Sequence, residues 1–404
     1  MSKNKCIIYF SACSRTIIEN SFALYDKKNR ILSATIILRI TYNTGNQREL
    51  IYMNFAIIGY GGMAGFHEKR ILDLKERGYN VDLKGIYDID PARGDIAREK
   101  GFHVYGSADE IFNDDDIGAV LIATPNDFHC DYAVRAAKAK KNVISEKPIG
   151  LSSKEAKAMF DAAKENGVIF EVHQNRRWDR DFLTIKKMYE EKTLGDIYRI
   201  ESRVMGSNGI PGEWRRKKAQ GGGMMLDWGV HLIDQALMMI NAKITDIYCR
   251  ASYIYGEDCD DGFELDIGFD NGVTYRIVVG TNTFISLPRW QAYGMDGTAR
   301  IEDWSVDKGA DYKLVKERVE TELRGIEAGN GFTKTMSPRS SKTVDSFNVE
   351  LVDMDRFDFY KNFIAACEGK AEPFIKEEQV LRVMKVMELA FESARTNTVI
   401  KEIF

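Results

Sequence analysis

The feature that most constrains this chain is the stretch "FAIIGYGGMAG", Phe55–Gly65. An unbroken apolar strand runs into Gly59-x-Gly61-x-x-Ala64, and a helical pattern follows at once. A strand without polar alternation is expected where both faces of a sheet are covered. Gly59 permits a tight turn, Gly61 lets the backbone approach a pyrophosphate, and Ala64 allows helix and strand to pack closely. The helix start at Gly62 and Met63 then presents free N–H groups and a positive dipole end to an anion. The same texture repeats downstream. "VDLKGIYD" (Val81–Asp88), "AVLIATP" (Ala119–Pro125) and "NVIS" (Asn142–Ser145) read as strands separated by helices. One of those helices starts with Asp90 as cap and Pro91 in its first turn. Strands alternating with helices at this spacing predict a parallel, doubly wound sheet.

After Gly150 the texture changes. "SSKEAKAMFDAAKENG" predicts a helix capped by serine and ended by glycine, and "VIFEVHQ" a strand. "MLDWGVHLIDQALMMI" (Met225–Ile240) predicts a helix with little polar surface. Strand-rich sequence follows, with Asn271-Gly272 between two alternating runs as a hairpin signal. "RWQAYGMDGTARIED" reads as a further strand pair, and two helices near 357–368 and 377–395 close the chain. The expected fold class is α/β. An N-terminal Rossmann domain with a doubly wound parallel sheet (53–150) precedes an α+β domain (151–404) with a large open, mostly antiparallel sheet. The C-terminal helices are expected to pack back on the first domain.

Composition closes off other classes. With 404 residues, 44% of them hydrophobic, two or three domains with sizeable cores are expected. A net charge of −4 gives no sign of a nucleic-acid partner. The six cysteines form no CxxC pair, which points away from zinc knuckles and disulfide frameworks. No apolar run approaches the ~20 residues of a membrane span. "FSAC" near the N-terminus is loosely like a lipoprotein cleavage box, but the apolar run from Cys6 to Phe10 is shorter than the ~7–15 residues of a signal segment. A cytoplasmic protein is expected.

Asp88 ends the second strand, where a carboxylate accepts hydrogen bonds from ribose hydroxyls and repels a 2′-phosphate. This favours NAD. Arg93, five residues on, could reach such a phosphate and keeps NADP open. Alternatively Asp88 is only a turn residue.

Three further motifs follow the glycine turn in order: "ATPNDFH" (Ala123–His129), "SEKPIG" (Ser145–Gly150) and "HQNRRWDRDF" (His173–Phe182). Together with "GGGMMLDWGVHLID" (Gly221–Asp234) they make the chain resemble the glucose–fructose oxidoreductase / inositol dehydrogenase / MocA family. The resemblance runs from about Asn54 to the C-terminus and is densest before residue 240. It implies a Rossmann domain followed by an α+β domain, and oxidation or reduction of sugars, cyclitols or related polyols with NAD(P). It further implies that Lys147 lies beside the nicotinamide and the reacting carbon and that Glu146 helps hold the nicotinamide ribose. Pro148 fixes the turn, with a cis bond before it aiming Lys147 inward. His231 resembles the family's acid–base residue. An imidazole near its unperturbed pKa can take a hydroxyl proton at neutral pH. Asp227 would bind substrate or orient this network.

Asp227, His231 and Asp234 stand at i, i+4 and i+7, so on one helical face. A metal bound by those three is not expected, because no second ligand cluster accompanies them. Thr124, Pro125, Asn126 and His129 match the family loop near the cofactor, although His129 alternatively caps the next helix. Gln174 and Arg176 match a Q-x-R that lines the cleft. Trp214 and Arg215, in the glycine-rich loop 208–223, are candidate substrate contacts. His67 and His103 read as structural.

The expected function is therefore an NAD(P)-dependent dehydrogenase acting on CH–OH groups of a small polyol, sugar or glycoside. Two other readings stand beside it. One is a redox-neutral glycoside-processing enzyme with tightly bound NAD, and the other is a dinucleotide-binding regulator without turnover. The open sheet face is expected to bury against another copy, giving a homodimer or homotetramer. Residues 1–52 are expected to lie outside the functional enzyme, with translation starting at Met53; the rival reading is a genuine arm that adds a strand or a subunit contact. Arg48-Glu49 can be encoded by a purine-rich run at a workable distance from that methionine.

Overall fold

The computed structural model describes residues 52–404 apart from 213, 306, 320–324 and 403. It also describes two short antiparallel strands, Leu24–Tyr25 and Ile31–Leu32. Most of the segment 1–52, including "ATIILRI", lies outside the described residues, and so does the expectation made for it. Residues 1–50 form one unit and residues 51–404 another, and the second carries both large sheets.

The first sheet contains β1 (Met53–Ile58), β2 (Val81–Tyr87), β3 (His103–Val104), β4 (Ile117–Ile122), β5 (Asn142–Ser145) and β6 (Phe170–Val172). Every pairing is parallel and the order is β3-β2-β1-β4-β5-β6. The chain reverses direction across the sheet between β1 and β4, and ligands of such sheets bind at the carboxyl ends beside that point. The connecting helices are α1 (Gly62–Glu76), α2 (Pro91–Glu99), α3 (Ala108–Phe112), α4 (His129–Lys138) and α5 (Ser153–Asn166). Local chemistry sets their ends. The Asp90 side chain accepts from Ala92 N, and that of Ser152 from Glu155 N, while Gly167 ends α5 in a left-handed conformation. The strand read from "VIFEVHQ" is β6 of this sheet, paired with β5 at Ser145–Val172. The boundary expected at 150 thus falls inside the chain of the parallel sheet. The change of sequence texture marks the end of the cofactor turns and not the end of the strand pairing.

After α6 (Arg180–Glu190), an eight-stranded sheet contains β7 (Ile197–Met205), β8 (Ile244–Ser252), β9 (Gly262–Phe269), β10 (Thr274–Gly280), β11 (Trp290–Gly294), β12 (Gly297–Ile301), β13 (Ala310–Val315) and β16 (Val344–Val349). A small hairpin, β14 (Ile326–Ala328) with β15 (Gly331–Thr333), lies between the last two. The order is β8-β9-β10-β7-β11-β12-β13-β16, antiparallel except where β10 pairs with β7. Asn271-Gly272 does turn the β9–β10 hairpin, with Gly272 at φ 83°.

One face of this sheet buries Ile200, Tyr275, Ile277 and Trp290 against helices. Burying side chains of this size is worth roughly 1.5–3 kcal/mol each. Between β7 and β8 lies α7 (Val230–Met239), and α8 (Asp358–Cys367) and α9 (Glu377–Thr396) close the chain. α9 packs on α5, α7 and β8. α8 reaches the first sheet, where Phe363 meets Phe55 at 6.2 Å between ring centroids. No helix among the described residues is long and apolar enough to cross a membrane.

Candidate functional site

The carboxyl ends of β1, β2, β4 and β5 open into a cleft of about 740 Å³. Its floor is backbone. Gly59 has φ +87°, and a Cβ there would stand 2.8 Å from Ala123 O and 2.9 Å from the Thr124 methyl. The first turn of α1 has no side-chain cap, so Gly61, Gly62 and Met63 bring uncommitted N–H groups to the cleft. Ala64 is fully buried behind them, at the helix–strand contact its small side chain allows.

Asp88 lines the cleft and ties β2 to the glycine turn: Oδ2 accepts from Tyr60 N at 2.5 Å and Oδ1 from Asp90 N at 2.8 Å. Arg93 lines the same end from α2 and is exposed. Thr124, Pro125 and Asn126 form the opposite wall. The Oγ1 of Thr124 and the Oε1 of Gln220 are buried there without hydrogen-bond partners. Backbone donors at a helix start, a carboxylate at the end of the second strand and unpaired polar atoms fit a dinucleotide.

At the other end of the cleft the groups are charged and enclosed. The Lys147–Pro148 bond is cis. Lys147 Nζ donates to Asp227 Oδ1 at 2.9 Å and to Asp227 O at 3.0 Å, and an ammonium has a third donor for a ligand. Burial alone would raise the Asp227 carboxyl, but Lys147 and then Arg215 outweigh it and hold the group below its usual range. Arg215 Nε stands 3.7 Å from Asp227, and Arg215 stacks on Trp214 at 4.3 Å. Both line the cleft. Asn126 Nδ2 donates to Gly221 O at 2.8 Å and so docks their loop on the Rossmann side.

Met225–Gly229 forms a π-helical turn before α7. Its start is held by Asp260, which accepts from Met225 N at 2.7 Å, and only glycine fits beside it: a Cβ on Gly223 would stand 2.3 Å from Asp260 Oδ1. The extra residue in this turn breaks the spacing read as one helical face. Asp227 turns to Lys147, whereas the buried Asp234 forks onto Arg177 at 2.6 and 2.7 Å. Asp234 is thus a strut between α7 and the 3₁₀ turn Asn175–Trp178.

His231 is buried beside Trp228, at 6.1 Å between ring centroids, and is not part of the cleft lining; its Nδ1 lacks a hydrogen-bond partner. The expectation of an unperturbed imidazole is corrected. Burial first, then the Lys147 and Arg176 cations, hold it well below the usual range, so it rests as the neutral base.

Four further sequence-derived contacts fall outside the cleft lining. His129 is fully buried, with Nδ1 at 2.8 Å from Pro148 O and Nε2 at 2.9 Å from Thr124 O. It clamps the two loops together and does not line the cleft. Pro148 and Gln174 are also buried outside the cleft lining, and Gln174 Oε1 lacks a partner. Arg176 pairs with Asp179 at 3.1 Å and lies over Trp228 at 4.2 Å and Trp304 at 5.3 Å. A planar cation between two indoles is already satisfied.

Glu146 does line the cleft, and no local motif hints at what holds it. Its Oε1 meets His173 Nδ1 at 2.7 Å and His67 Nε2 at 2.9 Å. Its Oε2 accepts from Lys147 N at 3.1 Å. Burial would raise its carboxyl, yet the two imidazoles hold it well below the usual range.

Residues 53–174 match a family model described as "Oxidoreductase family, NAD-binding Rossmann fold". Residues 182–300 match one described as "GFO/IDH/MocA C-terminal domain". A crystal structure of an NAD-binding protein from Listeria innocua is 41% identical and superposes with a TM-score of 0.82, covering 87% of this chain and 99% of that one. The scyllo-inositol 2-dehydrogenase (NADP(+)) IolW of Bacillus subtilis is 26% identical over 86% of this chain and 96% of its own. The scyllo-inositol 2-dehydrogenase (NAD(+)) of the same organism is 29% identical over 61% of this chain and 70% of its own.

Proposed function

This chain belongs to the Gfo/Idh/MocA family of NAD(P)-binding oxidoreductases, and from that premise we propose a dehydrogenase acting on a hydroxyl-bearing ring carbon of a cyclitol, sugar or glycoside. The observation that carries this reading is the Lys147–Asp227 pair at 2.9 Å, set at one end of a cleft whose other end is the glycine turn. Nicotinamide, when bound, supplies the hydride acceptor or donor. The remaining work falls to the chain. Gly61, Gly62 and Met63 hold the phosphates, and Asp88 takes the adenosine ribose. Glu146 takes the second ribose, and Thr124 and Gln220 offer their unpaired oxygens.

Lys147 presents its third N–H to the substrate oxygen and stabilises it as negative charge develops. His231, neutral and shielded from water, takes the hydroxyl proton. Asp227 keeps Lys147 aimed and balances its charge. Trp214 and Arg215 face the substrate from their loop. The names of the two Bacillus relatives support an inositol or similar cyclitol as the first candidate.

Asp88 favours NAD, while the exposed Arg93 leaves room for a 2′-phosphate. We also infer a homodimer or homotetramer formed through the outer face of the eight-stranded sheet, which sedimentation at micromolar concentration tests.

The functional experiment is a panel of inositols, sugars and glycosides with NAD or NADP, read by coenzyme absorbance. Coenzyme reduction by a member of the panel is the expected result. Tight coenzyme binding with no turnover on any member would favour the regulator.

A further inference from the structure

Glu146 lines the coenzyme cleft, but its two imidazole partners lead away from it. His173 lines a second cleft of about 170 Å³ whose walls include Asp179, Phe359 and Tyr360 and whose rim carries the exposed Phe66 and Arg356. His67 is fully buried, and its Nδ1 lies 2.7 Å from the hydroxyl of Tyr360, which also lines that second cleft. Two hydrogen-bonded routes therefore start at one carboxylate oxygen and end in the same place. One is Glu146–His173. The other is Glu146–His67–Tyr360.

A buried Glu–His–His–Tyr cluster is costly unless every member is satisfied. An aliphatic core would close the gap between α1, β6 and α8 more simply. Every group in the path is one that exchanges protons.

We propose that Glu146, His173 and, through His67, Tyr360 form a proton exit from the coenzyme cleft to the second cleft. The proposal rests on the dehydrogenase reading, because oxidation of an alcohol releases one proton for each hydride. The C–H bond breaks and its electron pair leaves with the hydride to the coenzyme. The O–H bond breaks and its proton passes first to His231. That base is enclosed and disfavours its charged form. No hydrogen bond among the described residues joins His231 to Glu146, so the proton crosses within the cleft that Glu146 lines, reaches its carboxylate and moves to the His173 imidazole. The imidazolium loses the proton on its other nitrogen to water in the second cleft, and the ring then turns over about its Cβ–Cγ bond, so that a bare nitrogen again faces Glu146 before the next proton arrives. One proton enters and one leaves, so the chain is unchanged. In the reducing direction the same path runs inward.

The test uses the full chain with whichever polyol the panel selects. His173→Gln keeps a hydrogen bond to Glu146 but carries no proton. It should lower turnover about tenfold, a modest share of the ~100–10,000-fold typical of a direct acid–base group. NADH affinity should be unchanged and the solvent isotope effect should rise. His173→Gln with Tyr360→Phe should be slower still. His173→Ala should be restored by added imidazole, which a purely structural role would not permit.

Wild-type rate and isotope effect in the double variant would overturn the exit. So would loss of NADH affinity parallel to loss of rate, which would make the cluster a positioning device only. His67, Glu146 and His173 place ligand atoms within 4.8 Å of one another, so inactivation of the wild type by a chelator would make them a metal site and also overturn it. A substrate-free measurement separates this proposal from the one it rests on. In nitrogen NMR of the resting protein, His173 Nδ1 should show a strong hydrogen bond to Glu146 that is weakened in Glu146→Gln. A His173 ring with no such hydrogen bond overturns the exit whatever the substrate is. A wild-type chain inert on every polyol overturns only the dehydrogenase reading.

Discussion

The two ends of the cleft are built from opposite materials. At the end proposed for the coenzyme, backbone of the glycine turn makes much of the lining, and Asp88 and Arg93, the two side chains proposed to decide between NAD and NADP, sit at its edge. At the substrate end nearly every group is charged or titratable, enclosed, and held by another such group: Lys147 by Asp227, Glu146 by two histidines, Asp234 by Arg177. A backbone site is specified by short-range rules and tolerates side-chain change. A buried charged site is specified by partners distant in sequence, and removing one partner strands the other. Mutations at the two ends should therefore differ in kind.

The largest effect should come from the substrate end. Lys147→Ala and His231→Ala should each lower turnover by about 100–10,000-fold, while NADH still binds at the backbone end by fluorescence titration. Near wild-type rates in both would break the contrast between the two ends.

Asp227 and Asp234 sharpen it further, because the sequence presents them as equivalents. Asp234→Asn should destabilise the fold by about 3 kcal/mol, since it uncouples a buried ion pair, with coenzyme affinity kept. Asp227→Asn should reduce turnover with a smaller loss of stability. Chemical denaturation beside steady-state kinetics separates the two.

Acid should also act on the enclosed end first. Burial lowers His67 from 6.5 to about 4, with the neighbouring His173 adding to the shift. Between those values the unfolded chain binds a proton that the folded one refuses, so stability falls as pH drops from 6.5 toward 4. The loss amounts to about 3 kcal/mol, at about 1.4 kcal/mol per pKa unit. Glu146, held low in the folded state, adds a loss with the same sign at lower pH still. A thermal-melt series in which wild type falls over this range and His67→Gln falls less is the expected outcome.

The smallest effect belongs to the coenzyme edge. Asp88→Ser should shift preference from NAD toward NADP by about tenfold, the scale of one charged hydrogen bond. If wild type already prefers NADP, Arg93 dominates that edge.

The same contrast explains what could be read from sequence. Gly59, Gly61 and Asp88 are legible because each acts through its own backbone or through the strand end it occupies. Lys147 and Asp227 are legible only as parts of a family pattern, since nothing local says that residues 80 positions apart share a hydrogen bond. The π turn at Met225–Gly229 is not legible. It inserts one residue into an ordinary-looking helical pattern and sends Asp234 to Arg177. His67 reads as merely structural because its partners come from β5, β6 and α8. Only its place on α1, just after the glycine turn, hints that it faces the carboxyl ends of the strands. The doubly wound sheet follows from its alternation, but its last strand reads as part of the next domain because β6 follows a helix with no cofactor turn.

The central claim is that Lys147, Asp227 and His231 serve hydride transfer at a ring CH–OH carbon. Deuterium at that carbon tests it most directly. Wild-type protein incubated with ring-deuterated inositols and with the coenzyme it prefers should yield reduced coenzyme heavier by one deuterium in its mass spectrum, and Lys147→Ala should yield essentially none. Coenzyme that stays tightly bound and unlabelled across the whole panel, in wild type as in the variant, would contradict the account.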